Sequence, residues 1–266
     1  MELPVVAARV GFRYAAEALR RFTLSVIAIA LLSGCGQTSA RSVSTTPVAH
    51  VQATVTPQAT SGPSARLSMP AFQGGVIVYA DGNDPALLSD AQRLLDHLVS
   101  IRVNSVALAF PLYQTSWTST DVHADPAKTP SDAFIQGFIS AARERGLAVL
   151  LRPLIDDTPL MKAGHWRGQL QPTDAGAWFA SYKASMLRYA AIAQADGAAV
   201  LDIGTELSSM QTNTAAWNDM IGAIRTVYNG ELTYSSNWDA AYPAFGSALD
   251  FASVDAFYPQ IGRAHV

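Results

Sequence analysis

The feature that most limits the fold is a regular switch, from Gly74 onward, between short apolar β-forming runs and longer stretches of helical period. Residues 76–79 form the first run, and Asp84 followed by Pro85 supplies an N-cap and a proline at the first helical position. The helix that follows carries Leu87, Leu88, Ala91, Leu94, Leu95 and Leu98 on one face. Residues 103–110 are the second strand. Ser131 caps a helix bearing Phe134, Ile135, Phe138, Ile139 and Ala142, which Gly146 stops. The third strand, 147–151, leads through a long loop to a helix opened by Thr173, with Phe179, Tyr182, Met186, Tyr189 and Ala193 at helical spacing. Residues 198–203 give the fourth strand. A helix with Trp217, Met220, Ile221, Ile224 and Val227 closes at Asn229-Gly230, and residues 232–235 and 251–256 complete six strands.

Strands that are apolar nearly throughout, each followed by a helix, belong in a parallel sheet covered by helices. This places the chain in the α/β class, as a (β/α)₈ barrel or an open doubly wound sheet. No glycine-rich phosphate turn follows the first strand, and polar and aromatic residues gather just past the strand ends, which favours the barrel. A complete TIM barrel takes about 250 residues. The 188 residues from 73 to 260 hold about six βα units, so an incomplete barrel is expected.

The N-terminal part has a different character. Arg9, Arg13, Arg20 and Arg21 precede an apolar run from 22 to 32, too short to span a bilayer, which needs about 20 apolar residues. It ends in Leu32-Ser33-Gly34-Cys35, which resembles the lipobox of bacterial lipoproteins, with the chain's single cysteine as the lipidated residue. Residues 1–34 are therefore expected to be an export signal and Cys35 a lipid anchor in a bacterial cell membrane or outer membrane. Residues 35–72 are rich in Ser, Thr, Ala and Pro and poor in bulky apolar groups, so they read as a disordered tether. The whole-chain charge of −3 conceals this division: residues 73–260 carry 11 Lys+Arg against 19 Asp+Glu, a balance of −8. An acidic domain without a basic stripe speaks against nucleic acid as a partner.

The strand ends carry the candidate chemistry. Glu206, in Gly204-Thr205-Glu206-Leu207, stands directly past the fourth strand, where an apolar wall raises a carboxyl's proton affinity and suits it to general-acid work. Alone, it reads equally well as a rim carboxylate. Arg152-Pro153 ends the third strand, Asn237-Trp238 the fifth and Tyr258-Pro259 the sixth, while Trp166-Arg167 lies in the long loop. Aromatic faces, amides and guanidinium groups around one carboxylate suit a sugar ring, apolar on its faces and polar at its edge.

The runs Trp166-Arg167-Gly168, Trp178-Phe179-Ala180-Ser181-Tyr182, Gly204-Thr205-Glu206-Leu207, residues 232–238 and Asp255-Ala256-Phe257-Tyr258-Pro259, in that order, resemble glycoside hydrolase family 113, the β-mannanase-like (β/α)₈ enzymes. The resemblance implies hydrolysis of β-linked glycans of mannan type by a retaining two-carboxylate mechanism. It makes Glu206 the acid/base and lines the sugar subsites with Arg152, Trp166, Arg167, Asn237, Trp238 and Tyr258. Family members often show Lys-Pro-His after strand three, where this chain has Arg152-Pro153-Leu154, keeping the positive charge and losing an imidazole. The family's nucleophile comes from the end of strand seven. With six strands in view, the chain is expected to be a fragment without that nucleophile and without turnover, and residues 261–266, patternless, to be a non-native tail.

A non-catalytic carbohydrate-binding surface lipoprotein is the alternative. His97, His123 and His165 show no metal-site spacing, so neither metal nor other cofactor is expected. Asp156 and Asp157 are turn formers, or else hold a sugar hydroxyl or a cation. Asp202 is placed to pair with Arg152, as a structural salt bridge or in a catalytic role; Trp178, Trp217 and Met220 belong to the core, and Trp117 is a candidate stacking platform at the rim.

Overall fold

The computed structural model describes residues 75–256. The expected signal, the Cys35 anchor, the tether, Tyr258 and the tail lie outside the described residues. Six parallel strands form one sheet in sequence order, β1 (Gly75–Tyr79), β2 (Ser105–Leu112), β3 (Ala148–Ile155), β4 (Val200–Thr205), β5 (Glu231–Asn237) and β6 (Ser253–Asp255). Between them run α1 (Leu87–Ser100), α2 (Asp132–Glu144), the single-turn α3 (Thr158–Met161), α4 (Ala175–Asp196) and α5 (Thr214–Arg225). No helix among the described residues is long and apolar enough to cross a membrane.

The curl of the sheet follows from one contact. Neighbouring strands lie about 4.8 Å apart, so β3 and β6 would be roughly 14 Å apart in a flat sheet. Yet the Arg152 guanidinium on β3 donates to the Asp255 carboxylate on β6. Side chains of that length meet only if the sheet closes around them, as in an incomplete (β/α) TIM barrel.

Helix faces largely follow their periodicity, except that α5 ends at Arg225, before the expected Asn229-Gly230 stop, and Val227, expected on its apolar stripe, lies past that end and is exposed. Leu87, Ala91, Leu95 and Leu98 of α1 are buried, as are Phe134, Ile135, Phe138 and Ile139 of α2. The Ser131 side chain accepts from the Phe134 N–H, a cap as expected. Two helix starts differ from the sequence reading. Asp84 and Pro85 form a turn in which the Asp84 carboxylate accepts the Ala86 N–H, and regular helix begins at Leu87. The cap of α4 is Asp174, which receives the Ala177 N–H at 3.0 Å, one residue past the expected Thr173.

A larger difference lies in β3, which runs four residues beyond its expected end. Arg152 and Pro153 suggest a stop, since a charge and a missing N–H both oppose a buried strand. Here the charge is neutralised inside the barrel. The β3–β4 ladder pairs only Leu150 with Val200 and Leu151 with Leu201, so Pro153 falls where β3 has already parted from β4.

Behind β4 stands a layer of buried aromatic residues. Trp178 stacks on Tyr182 at 4.8 Å, and Trp217 stacks on Phe245 at 4.7 Å and meets Tyr234 edge-on. Their polar tips are all used. Tyr182 Oη donates to the Ile203 carbonyl, Trp217 Nε1 to the Met210 carbonyl, Tyr228 Oη to the Ala198 carbonyl and Trp178 Nε1 to Gln114. These bonds fix the backbone that carries the candidate site.

Candidate active site

Glu206 reaches its position through a backbone irregularity. Between Asp202, paired with Thr233, and Thr205, paired with Ser235, three steps of β4 oppose two of β5, which is a one-residue bulge. Bulges re-aim side chains beside sites. The next residue, Glu206, has φ 54°, in the left-handed region that a non-glycine residue adopts only under constraint. Its N–H donates to the Ser235 carbonyl at 2.8 Å, which holds the turn. Gly204 sits inside the bulge because a Cβ there would come within 2.8 Å of Tyr234 and 2.9 Å of Trp217. The aromatic wall thus presses on the bulge from one side, and Glu206 emerges at the mouth on the other.

Beneath Glu206 lies a buried ion network. Arg152 Nε is 3.4 Å from Asp202 Oδ2 and 3.1 Å from Thr205 Oγ1, and its Nη2 donates to Asp255. Ser235 Oγ donates to Asp202 Oδ2 at 2.5 Å, and the Gly204 N–H to Oδ1 at 3.2 Å. Complete burial pushes the Asp202 carboxyl up to about 6, against the opposing pull of Arg152 and of the Ser235 hydrogen bond. Arg152 loses favour for its charge through burial, but Asp202 and Asp255 outweigh that loss and hold it above the ordinary guanidinium value.

Above the network, burial raises the Glu206 carboxyl from its ordinary value, and the Asp255 charge adds to the shift while Arg167 and Arg152 oppose it. Arg167 Nε is 4.0 Å from Glu206 Oε2. Its guanidinium is bound more closely to Asp157, with Nε and Nη2 donating to Oδ2 at 2.8 and 2.5 Å and the Arg167 N–H donating to Oδ1 at 2.5 Å. Asp156 accepts the Thr158 N–H and hydroxyl at 2.8 Å each and so starts α3. At the far end of the same loop the half-buried Trp166 ring covers Gly168, where a Cβ would come within 2.2 Å of it.

The sequence-derived residues therefore divide. Glu206 and Arg167 meet at the mouth. Arg152 is only 8% exposed and lies inside the barrel under Glu206, its guanidinium taken by Asp202, Asp255 and Thr205. Asn237 ends β5 in register with Asp255, and its Oδ1 accepts the Trp238 N–H at 3.0 Å. The Trp238 side chain is exposed, and Trp117 stacks on His165 at 4.0 Å. Trp178, Trp217 and Met220 are core residues. No group of three or more metal-ligating acidic, histidine or cysteine side chains occurs among the described residues.

Sequence reading alone passed over the hold of Asp157 on Arg167. It also missed Gln211, whose amide donates to Tyr234 Oη at 3.0 Å and Ser236 Oγ at 3.4 Å. Neither lies on a periodic pattern. The only signal for Asp157 is an acid ten residues before an arginine in one loop.

Comparison with known proteins agrees with this architecture. The β-mannanase of family 113 from Alicyclobacillus acidocaldarius, solved in complex with ManMIm, is 27% identical over 70% of this chain and 61% of its own, with a TM-score of 0.61. A family 113 β-1,4-mannanase solved as a complex is 25% identical over 65% and 57%, with a TM-score of 0.58. Another, at 23% identity over 72% and 64%, shares the fold with a TM-score of 0.63. The chain spans less than two thirds of the length of each of these structures. No curated protein sequence matches it. The family model described as Glycoside Hydrolase Family 113 matches residues 87–265, and the chain belongs to that family.

Proposed function

We propose that the protein is a glycosidase of β-mannan type in which Glu206 is the acid/base of a retaining mechanism. The observation that carries the reading is the seat of Glu206: past the end of β4, aimed by a bulge, and pushed by burial toward holding its proton. A carboxyl so placed protonates the leaving glycosidic oxygen, then takes a proton from the water that releases the product. A second carboxyl about 5 to 5.5 Å away attacks the anomeric carbon in such a mechanism. The two carboxylates that act on Glu206, Asp255 and Asp157, are each bound to an arginine. We assign the nucleophile outside the described residues. Trp166, Arg167, Asn237, Trp238 and Tyr258 are the proposed sugar contacts, and Arg152 supports the floor beneath them. Export and anchoring through Cys35 complete the proposal, with a bilayer as the second partner. Replacing Cys35 with Ala should release the protein from the membrane fraction; a variant that stays bound would overturn the anchor.

The test of the chemistry is release of reducing sugar from β-1,4-manno-oligosaccharides by the full protein and by Glu206→Gln, with binding measured in parallel. Retained binding with hydrolysis lowered about 10² to 10⁴-fold in the variant supports the assignment. Equal hydrolysis by both proteins would exclude Glu206 as the acid/base. Binding without hydrolysis by either would favour the non-catalytic carbohydrate-binding reading.

A further inference from the structure

We propose that Asp157 is a positioning residue of this site: its grip on Arg167 holds the guanidinium out of a full ion pair with Glu206. The inference rests on the reading of Glu206 as the acid/base. An acid that must begin the reaction protonated is disabled by a cation bonded to it, because such a pair favours the charged carboxylate. Arg167 is close enough to do this. Its Nε lies 4.0 Å from Glu206 Oε2, at the outer limit of an ion pair. That same Nε–H is already donated to Asp157 Oδ2, and Nη2 donates to the same oxygen.

The grip has more than a side-chain basis. Asp157 Oδ1 also accepts the Arg167 backbone N–H, so the carboxylate fixes both ends of the residue. Asp156 ties the start of α3 just beside it, and Trp166 packs over Gly168 on the other side. Both partners are largely shielded, with 15% of the Arg167 side chain and 20% of the Asp157 side chain exposed, so water competes weakly for the clamp. A planar guanidinium held by its edge cannot turn toward a second carboxylate without breaking the first contact.

The other charges around Glu206 do not replace this control. Asp255 on β6 favours the protonated form but is bonded to Arg152 on β3, and Arg152 is itself divided between Asp255 and Asp202 on β4. From β5, Tyr234 stands on the aromatic side of the bulge as a neutral phenol that burial keeps protonated. Among the described residues, Arg167 is thus the cation that most opposes protonation of Glu206, and the clamp sets its position.

The test is a carboxyl-carbon NMR titration of the full chain, with the Glu206 resonance identified by its loss in Glu206→Gln. Releasing Arg167 with Asp157→Asn should lower the Glu206 midpoint by about one unit or more. Loss of the Asp157 charge alone would also lower it somewhat, so the substitution is repeated in Arg167→Gln. If Asp157 acts through Arg167, the shift shrinks there to the smaller direct effect of the lost charge. An equal shift in both backgrounds, or no downward shift in the first, would overturn the proposal. Asp157→Ser, which keeps an acceptor for the Arg167 N–H, gives the same comparison if the Asn variant does not fold. The titration needs no turnover. A failed clamp with Glu206→Gln still inactive leaves the acid/base assignment standing, and a working clamp with Glu206→Gln fully active removes that assignment alone.

Discussion

Arg152 and Asp202 meet 3.4 Å apart inside the curl of the sheet, with the guanidinium's other end bonded to Asp255 two strands further on. The arginine is the only positive member of this buried cluster. Replacing it with Met leaves two shielded carboxylates without their counter-ion, and the expected cost is about 3 to 5 kcal/mol. Urea unfolding measures it. Arg152→Lys should fall between, since an ammonium cannot reach Asp202, Asp255 and Thr205 in one planar arrangement.

The Asp202 carboxyl titrates near 6 in the folded protein, against an ordinary value of 3.8. The folded state therefore holds this proton more tightly than the unfolded chain does. Its contribution to stability is complete below 3.8 and is lost as pH rises through about 6. Stability measured across that window should decline with rising pH from this group, and Asp202→Asn should make the decline shallower. An unchanged slope in the variant would show that other groups dominate the window.

At Gly204 the prediction is steric. A methyl group there would enter space held by Tyr234 and Trp217 at 2.8 and 2.9 Å, neither of which has room to retreat in a fully buried layer. Gly204→Ala should cost about 1 to 3 kcal/mol. It should also disturb near-ultraviolet circular dichroism, because the displaced groups are aromatic.

Glu206 stores strain in its backbone, with φ 54°. Glycine adopts that conformation freely. Glu206→Gly should therefore raise stability by about 1 kcal/mol, and Glu206→Ala should lose the same carboxylate without that gain. A thermal melt of the two variants side by side separates the backbone effect from loss of the carboxylate.

The alternation of apolar runs with helical stretches was enough to read six strands and their order, because each parallel strand is apolar along its length and each helix keeps a buried stripe. The pairing of Arg152 with Asp202 was legible, but the end of β3 was not, since Arg152 is also held by Asp255, 103 positions away, which no local pattern announces. Glu206 could be singled out from its place after β4. Its left-handed backbone could not, because the bulge that creates it depends on how β4 pairs with β5. Likewise, the sequence suggested Arg167 as a sugar contact, whereas its hold by Asp157 became visible only once the loop was folded.

The aromatic layer behind β4 grips the chain almost entirely by carbonyl oxygens: Tyr182 at Ile203, Trp217 at Met210 and Tyr228 at Ala198. Carbonyls are the same whatever side chain a residue carries. These three holds therefore do not depend on which side chains Ile203, Met210 and Ala198 carry, and the wall steadies the strand by its backbone alone.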